Sequence, residues 1–504
     1  MTGARPNIYV VVMDCCRADA FARLVRESQA ARDLQDSLQE FADFTETVAT
    51  SPWTIPSHAS ILTGLFPWHH GAFGKRGDDR LSLLPSVPTL NDFLKERGYH
   101  STLISANGML GPEAGFGIDT AFDVAVVAGW WEKYFRIPMK VPSLAPNGTT
   151  DGEPLFRRIV GALRPLLGSH DDALLRFPEL MWGASTLLTK TMSPGRDVGL
   201  PVSSWIEEAF QLHVDRTSAE EPGFFLINLA DTHEPYFPDR YILPTKEFSA
   251  YRLAVARQDY ISWFTGKWLP TPEELRILAC LYEGSVNRAI HRLVRLIAIA
   301  KAAGRWDDSI FVVTSDHGQE LGEEGLLFHM YRGDEATLRV PLLVRFPKGA
   351  HAGVRCRERA SLVDIRPTIE SQVDPNARAT TDGCNLLRLL DESRHCIPMA
   401  YAEGVFIPRT RERLSSRLKT IVDREAIIAY VGDWRISHFP ADGTFQAHDV
   451  KTDPLGARDR WVDVADANRD VAALLREAAL LVAKAPGESE TSGVDERLRS
   501  WGYE

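Results

Sequence analysis

The sequence predicts an α/β fold with a doubly wound, mostly parallel sheet and a smaller α+β subdomain near its C-terminal end. The first observation is a set of continuous β-branched and apolar runs at residues 7–13, 224–229, 310–314 and 340–346. Runs without polar alternation are typical of strands that are buried on both faces. The second observation is a helical segment between two of these runs, and the third is a group of short strand-like runs late in the chain.

The segment before the third run predicts an amphipathic helix. Over residues 286–303, apolar side chains recur at intervals of three and four, at Ile290, Leu293, Leu296, Ile297 and Ala300. This spacing places them on one helix face, which can pack on the sheet as the chain crosses to the strand at 310–314. Strand, helix and strand in repeated order indicate a doubly wound sheet.

The predicted catalytic domain covers residues 1–395, and a helical insertion around 130–267 interrupts its rhythm. The run at 224–229 lies within this insertion but is assigned to the main sheet. Two apolar stretches of the insertion, 155–167 and 174–188, are broken by Pro, Gly and Ser. The pair Trp130 and Trp131, together with the second stretch, has two interpretations: an apolar lid over the substrate, or the core of the insertion.

The predicted C-terminal subdomain covers residues 396–486. Short strand-like runs occur at 420–422, 426–431 and 434–439, and residues 470–485 have the pattern of a terminal helix. Residues 487–504 are expected to form a mobile tail.

The charge balance restricts the class of partner. The 504 residues include 57 Lys and Arg against 68 Asp and Glu, which gives a net charge of −11. Proteins that bind nucleic acids or anionic membranes rely on clustered Lys and Arg, so neither partner is expected. No window reaches the ~18 apolar residues of a membrane span. The argument does not extend to a small anionic substrate, and the sequence carries no indication of oligomeric state.

The cysteines favour a reducing compartment. The six residues are scattered along the chain, without a Cys-x-x-Cys pair, so they fit neither a disulfide framework nor a structural zinc site. The apolar run at 8–13 is too short for the core of a signal peptide. We therefore expect a cytoplasmic protein.

Polar, metal-competent residues follow three of the apolar runs. Asp14 follows the first, Asp231 and His233 follow the second, and Asp316 and His317 follow the third. In an open parallel sheet the carboxyl ends of the strands line the crevice where ligands bind, so these side chains should converge. A turn or capping role is the ordinary explanation of a single Asp after a strand. Three such strand ends together favour a site.

The segment 51–64 predicts a helix that begins near Pro56 and ends at Gly64. Thr54 precedes this helix, so its hydroxyl should lie against unpaired backbone N–H groups at the positive end of the helix dipole. That position favours an alkoxide and a bound tetrahedral anion. A plain capping role is the alternative for Thr54.

Six ordered motifs resemble the sulfatase family of the alkaline-phosphatase superfamily. They are the run 7–14, Thr54-x-Pro-Ser-His58-Ala-Ser-x-Leu-Thr-Gly64, His233-x-Pro-Tyr236, Ser315-Asp316-His317-Gly318, Arg339-Val-Pro-Leu342 and Asp364-x-x-Pro-Thr368, with a weaker echo in Asp453-Pro454. The resemblance implies an alkaline-phosphatase-like sheet. Within the family, the chain looks most like members with a threonine or serine nucleophile, including phosphoglycerol transferases and related phosphoester enzymes.

The resemblance also implies roles for single residues. Asp14, Asp316 and His317 match the metal ligands, and Thr54 matches the nucleophile, whose oxygen also touches the metal. His233 and His329 match histidines that contact the substrate or protonate the leaving oxygen. For either histidine, a structural hydrogen-bonding role is the alternative.

Two further residues are expected to bind the substrate. His58 stands where relatives commonly carry arginine, and Asn107 stands where many relatives place a substrate-facing polar residue. The expected cofactor is one divalent metal ion. Mn²⁺ or Zn²⁺ is favoured and Ca²⁺ is the alternative, because an imidazole among carboxylates suits the first two ions better.

Departures from the family pattern favour a phosphoester substrate. Sulfate-ester hydrolases usually carry cysteine at the nucleophile position, which is oxidised to formylglycine, and Thr54 cannot undergo that conversion. Cys15 replaces a frequent second Asp and is interpreted as a small buried residue. We therefore expect a single metal ion and a small anionic phosphoester substrate, with a binuclear site disfavoured. A sulfate ester, or a binding protein that has lost catalysis, are the alternatives.

Overall fold

The protein is described from a computed structural model. It describes residues 5–27, 32–73, 82–120, 122–127, 204–218, 221–236, 256–258, 260–377, 380–390, 397–404, 414–416, 418–419, 424–453 and 458–484.

Strands and helices alternate through most of the described chain. The strands are β1 (Ile8–Met13), β2 (Ala42–Val48), β3 (His100–Ser105), β4 (Val124–Val127), β5 (Gly223–Leu229), β6 (Ile310–Thr314), β7 (Glu320–Leu321), β8 (Leu327–Phe328), β9 (Arg339–Val340), β10 (Leu342–Arg345), β11 (Arg355–Ser361), β12 (Met399–Ala402), β13 (Ala426–Val431), β14 (Trp434–Phe439) and β15 (Thr444–Asp449). The α-helices are α1 (Ala18–Glu27), α2 (Arg32–Leu38), α3 (Thr54–Thr63), α4 (Pro67–His70), α5 (Leu90–Lys95), α6 (Ser204–Val214), α7 (Tyr260–Phe264), α8 (Pro272–Ala302), α9 (Glu335–Leu338), α10 (Ile365–Val373), α11 (Leu386–Leu390), α12 (Trp461–Val464) and α13 (Arg469–Lys484). Short 3₁₀ helices include Gly108–Leu110, Ala230–Thr232, Glu323–Gly325 and Leu362–Asp364.

The main sheet is mixed and mostly parallel, which confirms the predicted fold class. Its strand order is β11-β2-β10-β6-β1-β5-β3-β4, and β9 pairs with β2. The pairs β6–β1, β1–β5, β5–β3, β3–β4 and β11–β2 are parallel, whereas β10 is antiparallel to both of its neighbours. The centre of the sheet is therefore β1, between β5 and β6.

β1 is buried on both faces because helices cover both sides of the sheet. All six of its residues are fully buried. Val10 and Val12 belong to the core that also contains residues of α3, whereas Tyr9, Val11 and Met13 belong to the core on the opposite face with residues of α8. Complete burial of such a side chain stabilises the fold by roughly 1.5–3 kcal/mol. This two-sided burial explains the run without polar alternation.

Two predicted elements differ from the structure in their bounds. α8 begins at Pro272, well before residue 286, because Thr271 and Glu274 form a capping box and Pro272 occupies its first turn. The run at 340–346 is divided between β9 and β10, which are separated by Pro341. Proline has no N–H to donate to a neighbouring strand.

A second, antiparallel sheet contains β12, β13, β14 and β15 in that order. α13 packs against it through Val471, Leu475 and Val482. β13 and β14 have the predicted bounds 426–431 and 434–439, and the terminal helix lies one residue before its predicted bounds. The predicted run at 420–422, Trp130 and Trp131, the stretches 155–167 and 174–188 and the tail at 487–504 lie outside the described residues. The domain boundaries stay predictions.

The cysteines differ from the expectation in one respect. Cys15, Cys16, Cys280 and Cys356 are free, but Cys384 is disulfide-bonded. Disulfides are more usual in oxidising compartments than in the cytosol, so the cytoplasmic location stays a prediction. Among the described helices, none combines the length and the apolar character that crossing a bilayer requires.

Candidate active site

The carboxyl ends of β1 and β6 bring the predicted metal ligands together. Asp14, Asp316 and His317 are all fully buried. His317 Nε2 lies 3.5 Å from Asp316 Oδ2 and 3.9 Å from Asp14 Oδ1. The parallel pairing of β1 with β6 places these strand ends side by side, as the argument from sheet topology predicts.

Asp231, which follows β5, does not join this cluster. Its carboxylate accepts a hydrogen bond from Arg292 Nε at 2.9 Å and lies 3.3 Å from Arg288 Nε. Both arginines belong to α8. The expected convergence of all three strand ends is therefore wrong for Asp231, which forms buried ion pairs with a neighbouring helix.

Thr54 is the first residue of α3 and does not cap it. The N-cap is Trp53, in an extended conformation and without a side-chain capping bond. The Thr54 hydroxyl lies 3.4 Å from His317 Nε2 and is almost completely buried. The loop before α3 is held near the site because Met330 N–H donates to the Pro52 carbonyl. Thr54 thus presents its hydroxyl at the helix N-terminus, where partial positive charge favours an anion.

His317 is held in the orientation that a metal ligand needs. Its Nδ1–H donates to the Gly318 carbonyl at 2.9 Å, which leaves Nε2 as the acceptor facing the cluster. Such an outward hydrogen bond is the usual support for a metal-binding histidine. Burial lowers the pKa of His317, so the neutral, ligating form is favoured.

The two aspartates have opposite pKa shifts. Burial alone raises the pKa of Asp14, but His233, His317 and a hydrogen bond from Asn107 outweigh it and lower that pKa to about 2. Burial and the charge of Asp14 raise the pKa of Asp316 to about 8. The cause is that two buried carboxylates repel each other unless positive charge is nearby.

Asp316 Oδ2 provides a direct test of whether a cation fits. This oxygen is buried and accepts no hydrogen bond within the described part of the chain. A buried carboxylate oxygen without a hydrogen-bond donor is costly, and a divalent cation between Asp14, Asp316 and His317 would satisfy it. The donor set of two carboxylates, one imidazole and the Thr54 hydroxyl fits a single divalent ion.

Asn107 and Asn228 hold Asp14 from the neighbouring strands. Asn107 Nδ2 donates to Asp14 Oδ2 at 2.7 Å, and Asn228 Nδ2 donates to the same oxygen at 3.2 Å. Asn107 therefore supports a predicted metal ligand, and its contact with the substrate stays a prediction. Sequence reasoning missed Asn228. The available signal was a lone amide inside the apolar run at 224–229.

His58 lies one helical turn after Thr54, beneath the site. Its Nδ1 is 2.9 Å from the Thr54 carbonyl oxygen and 3.5 Å from Asp316 Oδ2. Its Nε2 is 3.4 Å from Asn228 Nδ2. Because Nδ1–H donates to the carbonyl and Nε2 accepts from the amide, these partners fit a neutral imidazole. The predicted contact of His58 with the substrate stays a prediction.

His233 and His329 lie together on the other side of His317. Their ring centroids are 5.0 Å apart, and that of His329 is 4.5 Å from that of His317. His329 Nδ1 lies 2.8 Å from Gln319 Oε1, and Glu234 Oε2 lies 3.6 Å from His233 Nδ1. Sequence reasoning missed Glu234 and Gln319. Glu234 had a signal, since it lies inside the motif His233-x-Pro-Tyr236.

The comparison with known families decides the classification. A family model described as "Sulfatase" matches residues 6–374, which is most of the chain and contains every candidate residue described above. The chain belongs to the sulfatase family. This confirms the resemblance of the six motifs.

Sequence relatives span most of the chain. Choline-sulfatase of Rhizobium meliloti (strain 1021) is 22% identical over 478 residues, which cover 90% of this chain and 82% of that protein. The multifunctional alkaline phosphatase superfamily protein PehA of Trinickia caryophylli is 30% identical over 429 residues, which cover 77% of this chain and 78% of that protein. The protein is accordingly a sulfatase-type ester hydrolase, and the binding-protein alternative is dropped. Sulfatase-family enzymes use a divalent metal ion, in agreement with the cluster around Asp14.

Solved structures share the fold. The phosphonate monoester hydrolase of Agrobacterium radiobacter superposes with a TM-score of 0.62 at 18% identity, covering 95% of this chain and 96% of that one. The phosphonate monoester hydrolase SpPMH from Silicibacter pomeroyi gives a TM-score of 0.60 at 16% identity, covering 97% and 98%. At these identities, the likeness establishes the alkaline-phosphatase-like architecture.

Proposed function

We propose that this sulfatase-family protein is a metal-dependent hydrolase or transferase of phosphoesters, either diesters or monoesters, with Thr54 as its nucleophile. One observation carries the proposal. The Thr54 hydroxyl lies at the N-terminus of α3, 3.4 Å from His317 Nε2, next to the unpaired Asp316 Oδ2. A nucleophile, a cation site and a helix N-terminus therefore meet at one point.

Asp14, Asp316, His317 and the Thr54 oxygen would hold the metal ion, with Mn²⁺ or Zn²⁺ favoured and Ca²⁺ the alternative. When bound, such an ion lowers the pKa of a nearby hydroxyl and neutralises charge on the non-bridging oxygens. Thr54 Oγ1 displaces the leaving oxygen and carries the phosphoryl group until water or an alcohol accepts it. The N–H groups that open α3 stabilise the developing negative charge.

His233 and His329 are proposed to serve the leaving-group side of the site. An imidazole that titrates near neutrality can donate a proton to a departing oxygen. His58 and Asn107 are proposed to contact the substrate or, through the hydrogen bonds described above, to hold Thr54 and Asp14 in place.

Sulfate-ester hydrolysis is the second candidate. Its support is choline-sulfatase, a relative that covers 90% of this chain. Thr54 argues against it, because a threonine lacks the aldehyde hydrate that expels sulfate from formylglycine. A panel of aryl phosphate, phosphodiester, phosphonate and sulfate esters, assayed with Mn²⁺, Zn²⁺ and Ca²⁺, separates the two candidates.

Substitution of Thr54 tests the nucleophile. Thr54→Ala should lower turnover of every accepted ester by at least ~10³-fold, because the attacking oxygen is gone, and Thr54→Ser should retain part of the activity. Thr63→Ala is the matched control, since it removes a buried hydroxyl from the last residue of the same helix. If Thr54→Ala turns over esters like the wild type, the nucleophile is another group.

A further inference from the structure

A second group of donor atoms lies beside the cation site of Asp14, Asp316 and His317. It contains Cys15, His233, Glu234 and His329, whose donor atoms all lie within 4.8 Å of one another. The four residues come from three separate segments, after β1, after β5 and after β8. The first, second and fourth are buried, and the side chain of Glu234 is only 12% exposed.

The distances within this group fit a tetrahedral metal site. Glu234 Oε2 lies 3.6 Å from His233 Nδ1 and 3.7 Å from His329 Nδ1. Cys15 Sγ lies 3.7 Å from His329 Nδ1. Zinc bonds of about 2.0–2.3 Å in tetrahedral geometry place neighbouring donor atoms roughly 3.3–3.6 Å apart. The observed separations therefore need to contract by only a few tenths of an ångström.

Gln319 and Tyr236 support the group from outside. Gln319 Nε2 donates to Glu234 Oε2 at 2.9 Å and to the Tyr236 hydroxyl at 2.7 Å, and its Oε1 accepts from His329 Nδ1 at 2.8 Å. Such outer hydrogen bonds orient metal ligands. A cation on His329 Nδ1 would replace the proton now shared with Gln319, which is the usual proton release on metal binding.

The backbone of Cys15 is held in an unusual conformation. Its φ is 64°, a left-handed value that costs a non-glycine residue on the order of 1 kcal/mol or more. Cys15 N–H donates to Asp316 Oδ1 at 3.2 Å, and its carbonyl accepts from the Tyr282 hydroxyl at 2.8 Å. In this conformation Sγ lies 3.3 Å from Asp14 Oδ1. Cys15 is thereby a member of both donor groups, the other being Asp14, Cys15 and His317.

We propose that Cys15, His233, Glu234 and His329 bind a second divalent transition-metal ion, next to the ion of the proposed active site. A thiolate, two imidazoles and a carboxylate together select Zn²⁺ over Mg²⁺ or Ca²⁺. This inference deepens the proposed function and rests on its first metal site. It replaces the expectation of a single metal ion, and it makes His233 and His329 ligands rather than proton donors. Paired ions stabilise both the attacking and the leaving oxygen.

Metal stoichiometry tests the proposal on the full chain. The protein is stripped with a chelator, reloaded with Zn²⁺, freed of excess ion and analysed for its metal content. The wild type should bind two equivalents. His329→Gln should bind one, because His329 belongs to the second group alone. Asp316→Asn should lose the other equivalent and keep the second.

Cobalt spectroscopy tests the thiolate ligand separately. Co²⁺-loaded wild type should show thiolate-to-cobalt charge-transfer absorption in the near ultraviolet. Cys15→Ser should lose this band, and His329→Gln should lose most of it. Cys16→Ser is the matched control, since Cys16 is a buried neighbour outside both donor groups, and it should keep the band.

Three outcomes would overturn the second site: one equivalent in the wild type, two equivalents in His329→Gln, or an unchanged cobalt band in Cys15→Ser. One equivalent in the wild type, with a loss in His329→Gln that grows with the pKa of the leaving group, would identify His329 as a proton donor instead. Circular dichroism checks folding of each variant, and the cobalt arm decides if His329→Gln fails to fold. An active Thr54→Ala would refute the nucleophile without changing the stoichiometry.

Discussion

Asp14, Asp316 and His317 could be found from the sequence because each directly follows a run of buried-strand character. Sheet topology then requires that the ends of adjacent parallel strands meet. Asn228, Glu234 and Gln319 could not be assigned in this way. Their roles depend on hydrogen bonds between segments far apart in the chain, and no spacing rule encodes such partners. Asp231 shows the converse error, since the same position after a strand serves an ion pair with α8.

Gly318 is a residue whose smallness positions His317. A Cβ at this position would lie 2.0 Å from the Ala336 carbonyl oxygen, and Gly318 N–H already donates to the Thr337 carbonyl at 2.7 Å. Gly318→Ala should therefore destabilise the protein by roughly 1–3 kcal/mol through overpacking and lower activity by displacing His317. Urea unfolding measures the first effect and kcat the second.

Gly349→Ala is the matched control for this substitution. Gly349 is followed by open space on the side where a Cβ would point, although its φ of 65° adds some strain. It lies in a 3₁₀ turn after β10, away from His317. Loss of activity in the control equal to that in Gly318→Ala would contradict the proposed cause.

At the scale of elements, hydrophobic runs predicted the central strands well and the outer strands poorly. β6, β13 and β14 have the predicted bounds because their side chains are buried along nearly their whole length. β2 and β11 mix buried with partly exposed residues, so their runs contain charged side chains and carry no clear period. The start of α8 was missed because its first turns are amphipathic only weakly and its capping box was not recognised.

The packing of α4 on α3 predicts an acid-sensitive contact. His70 is buried, its Nδ1 accepts from Ala72 N–H at 3.0 Å, and its Nε2 lies 3.1 Å from Ser60 Oγ. Burial lowers the pKa of His70 to about 3, against about 6.5 in the unfolded chain. Between these values the unfolded chain binds the extra proton. The stability due to neutral His70 is therefore complete above pH 6.5 and is lost as the pH falls towards 3.

His70→Asn tests this contact, because an amide oxygen can still accept from Ala72 N–H but cannot be protonated in this range. The free energy of unfolding of the wild type should fall more steeply between pH 6.5 and 4, by up to about 1.4 kcal/mol per pH unit relative to the variant. Urea midpoints across this range measure the difference. Parallel pH profiles for the two proteins would show that His70 does not titrate as described.

At the scale of the whole molecule, the net charge of −11 does not oppose an anionic substrate, because the site supplies positive charge locally. The buried pair Asp14 and Asp316 makes the fold itself dependent on that charge. A cation at about 100 times its Kd should stabilise the folded chain by roughly 2.7 kcal/mol. Chelation should therefore lower the thermal midpoint and abolish activity, and addition of Mn²⁺ or Zn²⁺ should restore both.

Asp316→Asn separates this effect from general metal binding, since it removes one of the two repelling carboxylates while keeping the shape of the side chain. The stripped variant should be at least as stable as the stripped wild type. Differential scanning calorimetry provides the comparison. Equal midpoints for wild type with and without metal would contradict the account of the site.

The most direct test of the central claim is to trap phosphoryl-Thr54. The enzyme is mixed with an ester that carries radiolabelled phosphorus and has a good leaving group, quenched in acid within one turnover, and digested for peptide sequencing. We expect label on Thr54 in the wild type and none in Thr54→Ala. Turnover of the same ester without any label on Thr54, or with label on another residue, would contradict the claim.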